Sequence, residues 1–239
     1  MPKLEISKVH DAYGQGSECP LCLLEASAER ALLKSFQHSR GMEPDVRVRT
    51  NREGFCAEHF KRLYAGESKL GLGLVALTRL QYLLPEVDAA LGPAERAAGG
   101  RGAKQQAARA AARLSQLGGS CYVCRLLRQD RERYIFTILY LWSKDPEFRP
   151  VFRASRGFCI PHFAAMTEEA ARSMRADRLG DWLLEAGALL RASLEALDRD
   201  LHAFTQLHQA GNRALGTDAE RTALARTLQK LAGGEFTAG

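Results

Sequence analysis

Six cysteines and two histidines fall into two matched sets. Cys19-Pro20-Leu21-Cys22 is followed, after 31 residues, by Gly54-Phe55-Cys56-Ala57-Glu58-His59-Phe60. Cys121-Tyr122-Val123-Cys124 is followed, after 32 residues, by Gly157-Phe158-Cys159-Ile160-Pro161-His162-Phe163. No cysteine lies outside these sets. The chemistry they suit is metal ligation. Two thiolates three positions apart grip one ion from a tight turn, and a Cys-x-x-His pair at the start of a helix supplies two more donors from one face. Three sulfurs and one imidazole nitrogen make a closed tetrahedral set for zinc, with no position left for water. The candidate ligands are Cys19, Cys22, Cys56, His59, Cys121, Cys124, Cys159 and His162, for two zinc ions per chain. Whether four ligands come from one copy or are shared between copies is open at this level.

Competing uses of the same residues are an iron–sulfur cluster, which takes cysteine and sometimes histidine, and a redox Cys-x-x-Cys pair. The thioredoxin type of redox pair belongs to a βαβ pattern, which this chain lacks. Covalent haem needs a histidine directly after the pair, where Leu23 and Arg125 stand.

The elements that must position these ligands also repeat. Leu23-Leu24, Glu29-Arg30, Val48, Gly54-Phe55 and Phe60 recur 103 positions later as Leu126-Leu127, Glu132-Arg133, Val151, Gly157-Phe158 and Phe163, while the Cys-x-x-Cys pairs recur at 102. Helical spacing of apolar residues predicts helices from about Cys22 to Ser39, to Ala65 after His59, and over Leu70–Leu84, Ala103–Leu117, Leu126–Trp142 and Ala176–Gln209. A last helix should run to Leu231, capped by Thr217. In the Leu70–Leu84 run the apolar set is Leu70, Leu74, Leu77, Leu80, Tyr82 and Leu84, with Gly71 and Gly73 allowing close packing. In the longest run the stripe is Leu179, Leu183, Leu190, Leu194, Leu197, Leu201 and Phe204, with Gly180 and Gly187 as marks of close helix contact. The aromatic end of Leu126–Trp142 predicts deep burial. Met1–Ser17 reads as an irregular lead-in, and Val46 and Val48, alternating with Arg47 and Arg49 after Pro44, as a short extended segment. Pro146 and Pro150 break the second return segment. Gly211–Gly216 is expected to be a loop, and the chain beyond Gly233 to be disordered.

The expected fold is all-α: two related helical modules, each clipped by a metal site of three cysteines and one histidine. The divisions are a first module over 1–91, a linker over 92–102, a second module over 103–210, and a C-terminal helix and tail over 211–239.

Composition narrows the function classes. A chain of 239 residues with 46% hydrophobic and 26% charged residues has the balance of a globular protein. No apolar run approaches the ~18 residues of a membrane helix, and Met1–Gln15 has no apolar signal core, so a cytoplasmic protein is expected. There thiols stay reduced, which favours metal ligation over disulfides. The net charge of +6 is spread rather than clustered. It makes only a weak case for nucleic acid, resting on Arg47, Arg49 and Arg52. Phosphate loops, dinucleotide-binding glycines and hydrolase motifs are absent, which points away from an enzyme.

At Cys19-Pro20-Leu21-Cys22, Thr50-Asn51-Arg52-Glu53-Gly54-Phe55-Cys56-x-x-His59, Cys121-Tyr122-Val123-Cys124, Glu132-Arg133-Tyr134, Tyr140-Leu141-Trp142 and Gly157-Phe158-Cys159-x-Pro161-His162-Phe163 the chain resembles an uncharacterised bacterial domain-of-unknown-function family built on the same doubled plan. The resemblance covers roughly residues 1–205, leaves the tail from about Gly211 outside, and implies no activity. The reading is a zinc-binding helical protein with structural metal, acting as a scaffold or on a protein partner. The alternatives are an iron–sulfur or thiol redox protein and a nucleic-acid-associated protein.

Overall fold

The computed structural model describes residues 4–209 and 216–236. Among them are eleven α-helices and no strand: α1 Ile6–Gly14, α2 Pro20–His38, α3 Pro44–Glu53, α4 Ala57–Ala65, α5 Lys69–Arg96, α6 Ala103–Gly118, α7 Tyr122–Lys144, α8 Phe148–Ala154, α9 Ile160–Ser173, α10 Ala176–Gln209 and α11 Asp218–Ala232. The all-α expectation holds. The chain forms two compact units, one of residues 1–27 with 129–239, the other Ala28–Arg128. The boundaries fall inside α2 and α7.

The core of the first unit is aromatic. Trp142 of α7 and Trp182 of α10 meet edge to face with centroids 5.4 Å apart, and Phe148, Phe152 and Phe158 surround them, all five nearly or wholly buried. Most of the apolar end of α7 is buried as expected, including Tyr134, Ile135, Ile138 and Leu139, while Tyr140 faces outward. The core of the second unit gathers Leu32, Phe36, Val46, Phe55, Leu63, Val75, Tyr122 and Val123. Phe55 is its hub, edge-on to Phe36 and Phe60, both at 5.2 Å.

Several local expectations are corrected. The lead-in is not irregular throughout: α1 forms because Val9, Ala12 and Tyr13 share one helical face and are buried. The segment of Val46 and Val48 is helical, not extended. Pro44 starts α3 rather than blocking a helix, since the first helical position has no amide to lose. Val46 and Thr50, four apart, face inward while Val48 is exposed. On this helix Arg49 and Arg52, three apart, share an exposed side, while Arg47 turns away and donates to Leu74 O and Thr78 Oγ1. Of the three, only Arg49 and Arg52 stay side by side. Helix α5 runs through Pro85 and Pro93 to Arg96, well past Leu84 and into the supposed linker. Packing against α6, reinforced by the Arg113–Glu86 ion pair, overrides the proline signals. Pro150 lies inside α8 instead of breaking it.

Burial overturns the leucine stripe of α5 and trims that of α10. On α5 the buried residues are Val75 and Arg79, and Leu70, Leu74, Leu77, Leu80 and Leu84 are exposed. A Cβ at Gly73 would touch nothing within 4 Å, so no close packing occurs there. On α10 Trp182, Ala186, Gly187 and Leu197 are buried and Leu179, Leu190, Leu194, Leu201 and Phe204 half-buried, so of the expected stripe only Leu183 is exposed. Gly180 and Gly187 meet no neighbouring helix. The Thr217 cap is present as a full capping box with Glu220. The loop expected at Gly211–Gly216 lies outside the described residues except for Gly216, as do the tail residues 237–239.

Two candidate metal centres

Each unit brings four of the predicted ligands together. In the first unit they are Cys19, Cys22, Cys159 and His162; in the second, Cys56, His59, Cys121 and Cys124. All eight predicted residues are used, and each set takes its Cys-x-x-Cys pair from one sequence copy and its Cys-x-x-His pair from the other. Each group thus draws on both sequence copies.

Local structure explains the aim of each side chain. Cys56 and Cys159 are the extended residues just before α4 and α9, and neither sulfur caps its helix. His59 and His162 follow one turn later. Both Gly-Phe-Cys segments need a glycine, since Gly54 and Gly157 have φ of +64° and +71°. Cys19 and Cys121 lie just before α2 and α7, with Cys22 and Cys124 in the first turns. Each set therefore sits at two helix N-termini, whose partial positive charge favours thiolates.

The geometry fits a single ion. In the first centre Sγ of Cys19, Cys22 and Cys159 lie 3.3, 3.4 and 3.1 Å from His162 Nδ1. In the second, Sγ of Cys121, Cys124 and Cys56 lie 3.3, 3.4 and 3.1 Å from His59 Nδ1. One ring nitrogen cannot satisfy three thiols by hydrogen bonding, but three sulfurs and one nitrogen around a common point could hold an ion. The Cys22–Cys159 and Cys56–Cys124 sulfurs are 3.7 and 3.8 Å apart. Tetrahedral sulfurs on zinc–sulfur bonds of about 2.3 Å stand about 3.8 Å apart. No disulfide competes, since all six cysteines are free.

Two carboxylates missed in the sequence complete the centres. Nε2 of His162 is 3.2 Å from Glu25, and Nε2 of His59 is 3.0 Å from Glu29. A carboxylate at Nε2 keeps the proton there and leaves the Nδ1 lone pair for the ion. Arg131 pairs with Glu25, and Arg62 with Glu29 at 2.6 Å. Both carboxylates belong to α2, four residues apart. The sequence held a partial signal in the repeated Glu29-Arg30 pair. Nothing marked Glu25, whose counterpart in the second copy is an arginine, Arg128 at a shift of 103.

Electrostatics follow from crowding. His59 is raised to about 9, first by its hydrogen bond to Cys121 and then by Cys56, against burial. Burial raises Cys121, but His59 and neighbouring amides outweigh it and bring it to about 6. Cys124, raised by burial and then by Cys121, goes to about 12. His162 is raised despite burial, because Cys159, Cys19, Cys22 and Glu25 all favour its charged form. A doubly charged ion, held by these four side chains, would relieve this competition by replacing protons among the sulfurs.

The centres differ in cover. Cys19, Cys22, Cys159 and His162 are buried, and a Cβ at Gly233, just past α11, would lie 3.5 Å from Cys159 Sγ. Beside it Glu18 receives Arg156 and Arg226, both at 2.7 Å, and Lys230, fully buried, donates to the carbonyls of Glu18 and Arg156. In the second centre Cys124 is exposed and Cys56 half-buried.

A family model described as a family of unknown function (DUF6062) matches residues 2–238, so the chain belongs to that family. The match runs through α11, correcting the expectation that the tail lies outside it. No curated protein and no solved structure matches the chain. Each centre could hold a metal ion, and no described helix is long and apolar enough to cross a membrane.

Proposed function

We propose that both centres bind zinc, that the zinc is structural, and that the protein acts as a scaffold or interaction protein through its helical surface. The carrying observation is the convergence of three sulfurs on one imidazole nitrogen in each unit, with every donor atom of a set within 4.8 Å of the others. That spacing suits one ion, whereas the bridging sulfides of an iron–sulfur cluster need its ligands spread wider. A full set of four protein ligands leaves no site for a reactive water, which argues for structure rather than catalysis. The interaction reading draws on the exposed leucines of α5, since a large uncovered apolar face on a helix marks a binding surface. With Arg47 held by α5, only Arg49 and Arg52 remain side by side on α3, which is a small footprint for nucleic acid. A cytoplasmic setting agrees with six unpaired cysteines.

Elemental analysis of protein purified without added metal tests the zinc assignment. Two zinc per chain is the expected result. Iron with acid-labile sulfide, or no metal at all, refutes it.

A further inference from the structure

Helix α5 carries a face that the rest of its unit leaves uncovered. Leu70, Leu74, Leu77, Leu80 and Leu84 are exposed, Leu70 by 78% and Leu84 by 64%. With 3.6 residues per turn these positions share one side with Gln81 and Asp88, opposite the buried Val75 and Arg79. Leu70, Gly73, Leu77, Leu80 and Leu84 alternate steps of three and four, the spacing of a seam that packs against another helix. The neighbours that cover α5 lie elsewhere: Arg47 of α3 binds Thr78, and Arg79 binds the Leu117 carbonyl of α6.

Along the seam, Gly73 opens a hole. A groove of about 480 Å³ surrounds it, walled by Phe60, Tyr64, Leu72 and Ala76. The two ends of the seam carry opposite charge, with Lys69 exposed at one and Asp88 at the other. Lys69 lies 4.2 Å over the Tyr64 ring, at the rim of the same groove.

We propose that this face pairs with the same face of a second copy, the two α5 helices running antiparallel and crossing between Leu77 and Leu80. In that register Leu77 meets Leu80 of the second copy, Leu84 enters the hole at Gly73, and Lys69 reaches Asp88. Every contact occurs twice, as a two-fold interface requires. A parallel pairing sets Lys69 beside Lys69 and Asp88 beside Asp88, which repel. The charges thus favour a second copy and choose its direction. The inference rests on the interaction reading above and names the partner; it does not depend on which metal is bound.

Sedimentation equilibrium on the full, metal-loaded chain tests it. The native chain is expected to dimerise, and Leu77→Glu to weaken the dimer by about a hundredfold or more at unchanged helicity and metal content. Lys69→Asp and Asp88→Lys should each weaken it about tenfold, and the two together should restore it. A dimer that ignores Leu77→Glu, or a charge swap that fails to restore pairing, overturns the proposal. So does a monomeric native chain. If that monomer captures another protein and loses it on Leu77→Glu, the interaction reading survives; if nothing bound depends on Leu77, both fall.

Discussion

The two centres share donors and distances but not surroundings. The first is enclosed: its four ligands are buried, the end of α11 lies against Cys159, and Glu18 with Lys230 and two arginines forms a buried ionic plug beside it. The second opens to solvent at Cys124. In the first, α2 supplies both the Cys-x-x-Cys sulfur Cys22 and the carboxylate Glu25; in the second, the Cys-x-x-Cys pair lies at the start of α7 and the carboxylate Glu29 on α2. One ligand motif has thus been set in a closed and an open environment. Coordination alone does not determine how firmly an ion is kept; the elements packed over it do.

The largest way to break this comparison is to remove a ligand from each centre. Cys22→Ser and Cys124→Ser should each lose one ion. Structural zinc contributes on the order of 10–16 kcal/mol in small peptides, so even a fraction of that rivals a domain's stability. Thermal unfolding should show the Cys22 variant as the more damaged, because its centre lies in a buried region. Equal losses count against the closed and open distinction.

Next comes the plug. Glu18→Gln leaves Lys230 buried without its carboxylate and Arg226 with Asp200 alone, and should cost about 3–5 kcal/mol. Burial raises the Glu18 carboxyl, but Arg226, Lys230 and Arg156 outweigh it and hold it below its ordinary value. Its contribution is therefore present above the ordinary carboxylate pKa and is lost as pH falls through the depressed one. The variant should show a shallower acid limb in stability against pH than the native chain; parallel limbs contradict this.

The orienting carboxylates sharpen the comparison at smaller scale. Glu25→Gln and Glu29→Gln should lower metal affinity about 10–100-fold, each at its own centre only. Competition with a chromophoric chelator reads both. An equal loss at both centres from either change refutes the assignment. The smallest effect is kinetic. A thiol reagent applied to the metal-loaded chain should modify Cys124 and Cys56 before any cysteine of the first centre, as peptide mass mapping reveals. Modification of Cys19 or Cys159 first reverses the order of cover.

Much of this was legible in the residues. The residues that converge in the two groups were marked by spacing and repetition, because few residue types can do the same chemistry, and α10, α11 and the burial of α7 followed from periodicity and capping. What stayed hidden depended on tertiary packing. Val46-x-Val48 alternates like a strand, yet Thr50, a polar residue, is the second inward position that makes α3 a helix. The leucines of α5 read as core because they share a face, and composition does not say whether that face is covered. Glu25 has no counterpart in the second copy, so repetition could not reveal it. The crossing of ligands between copies leaves no local trace, since both pairings use the same motifs.

That crossing is the centre of the account, and paired cysteine variants test it most directly. Metal content is measured for Cys19→Ser with Cys159→Ser, which share a centre, and for Cys19→Ser with Cys56→Ser, which share a sequence copy. The account predicts one ion per chain in the first variant and none in the second. None in the first and one in the second contradicts it.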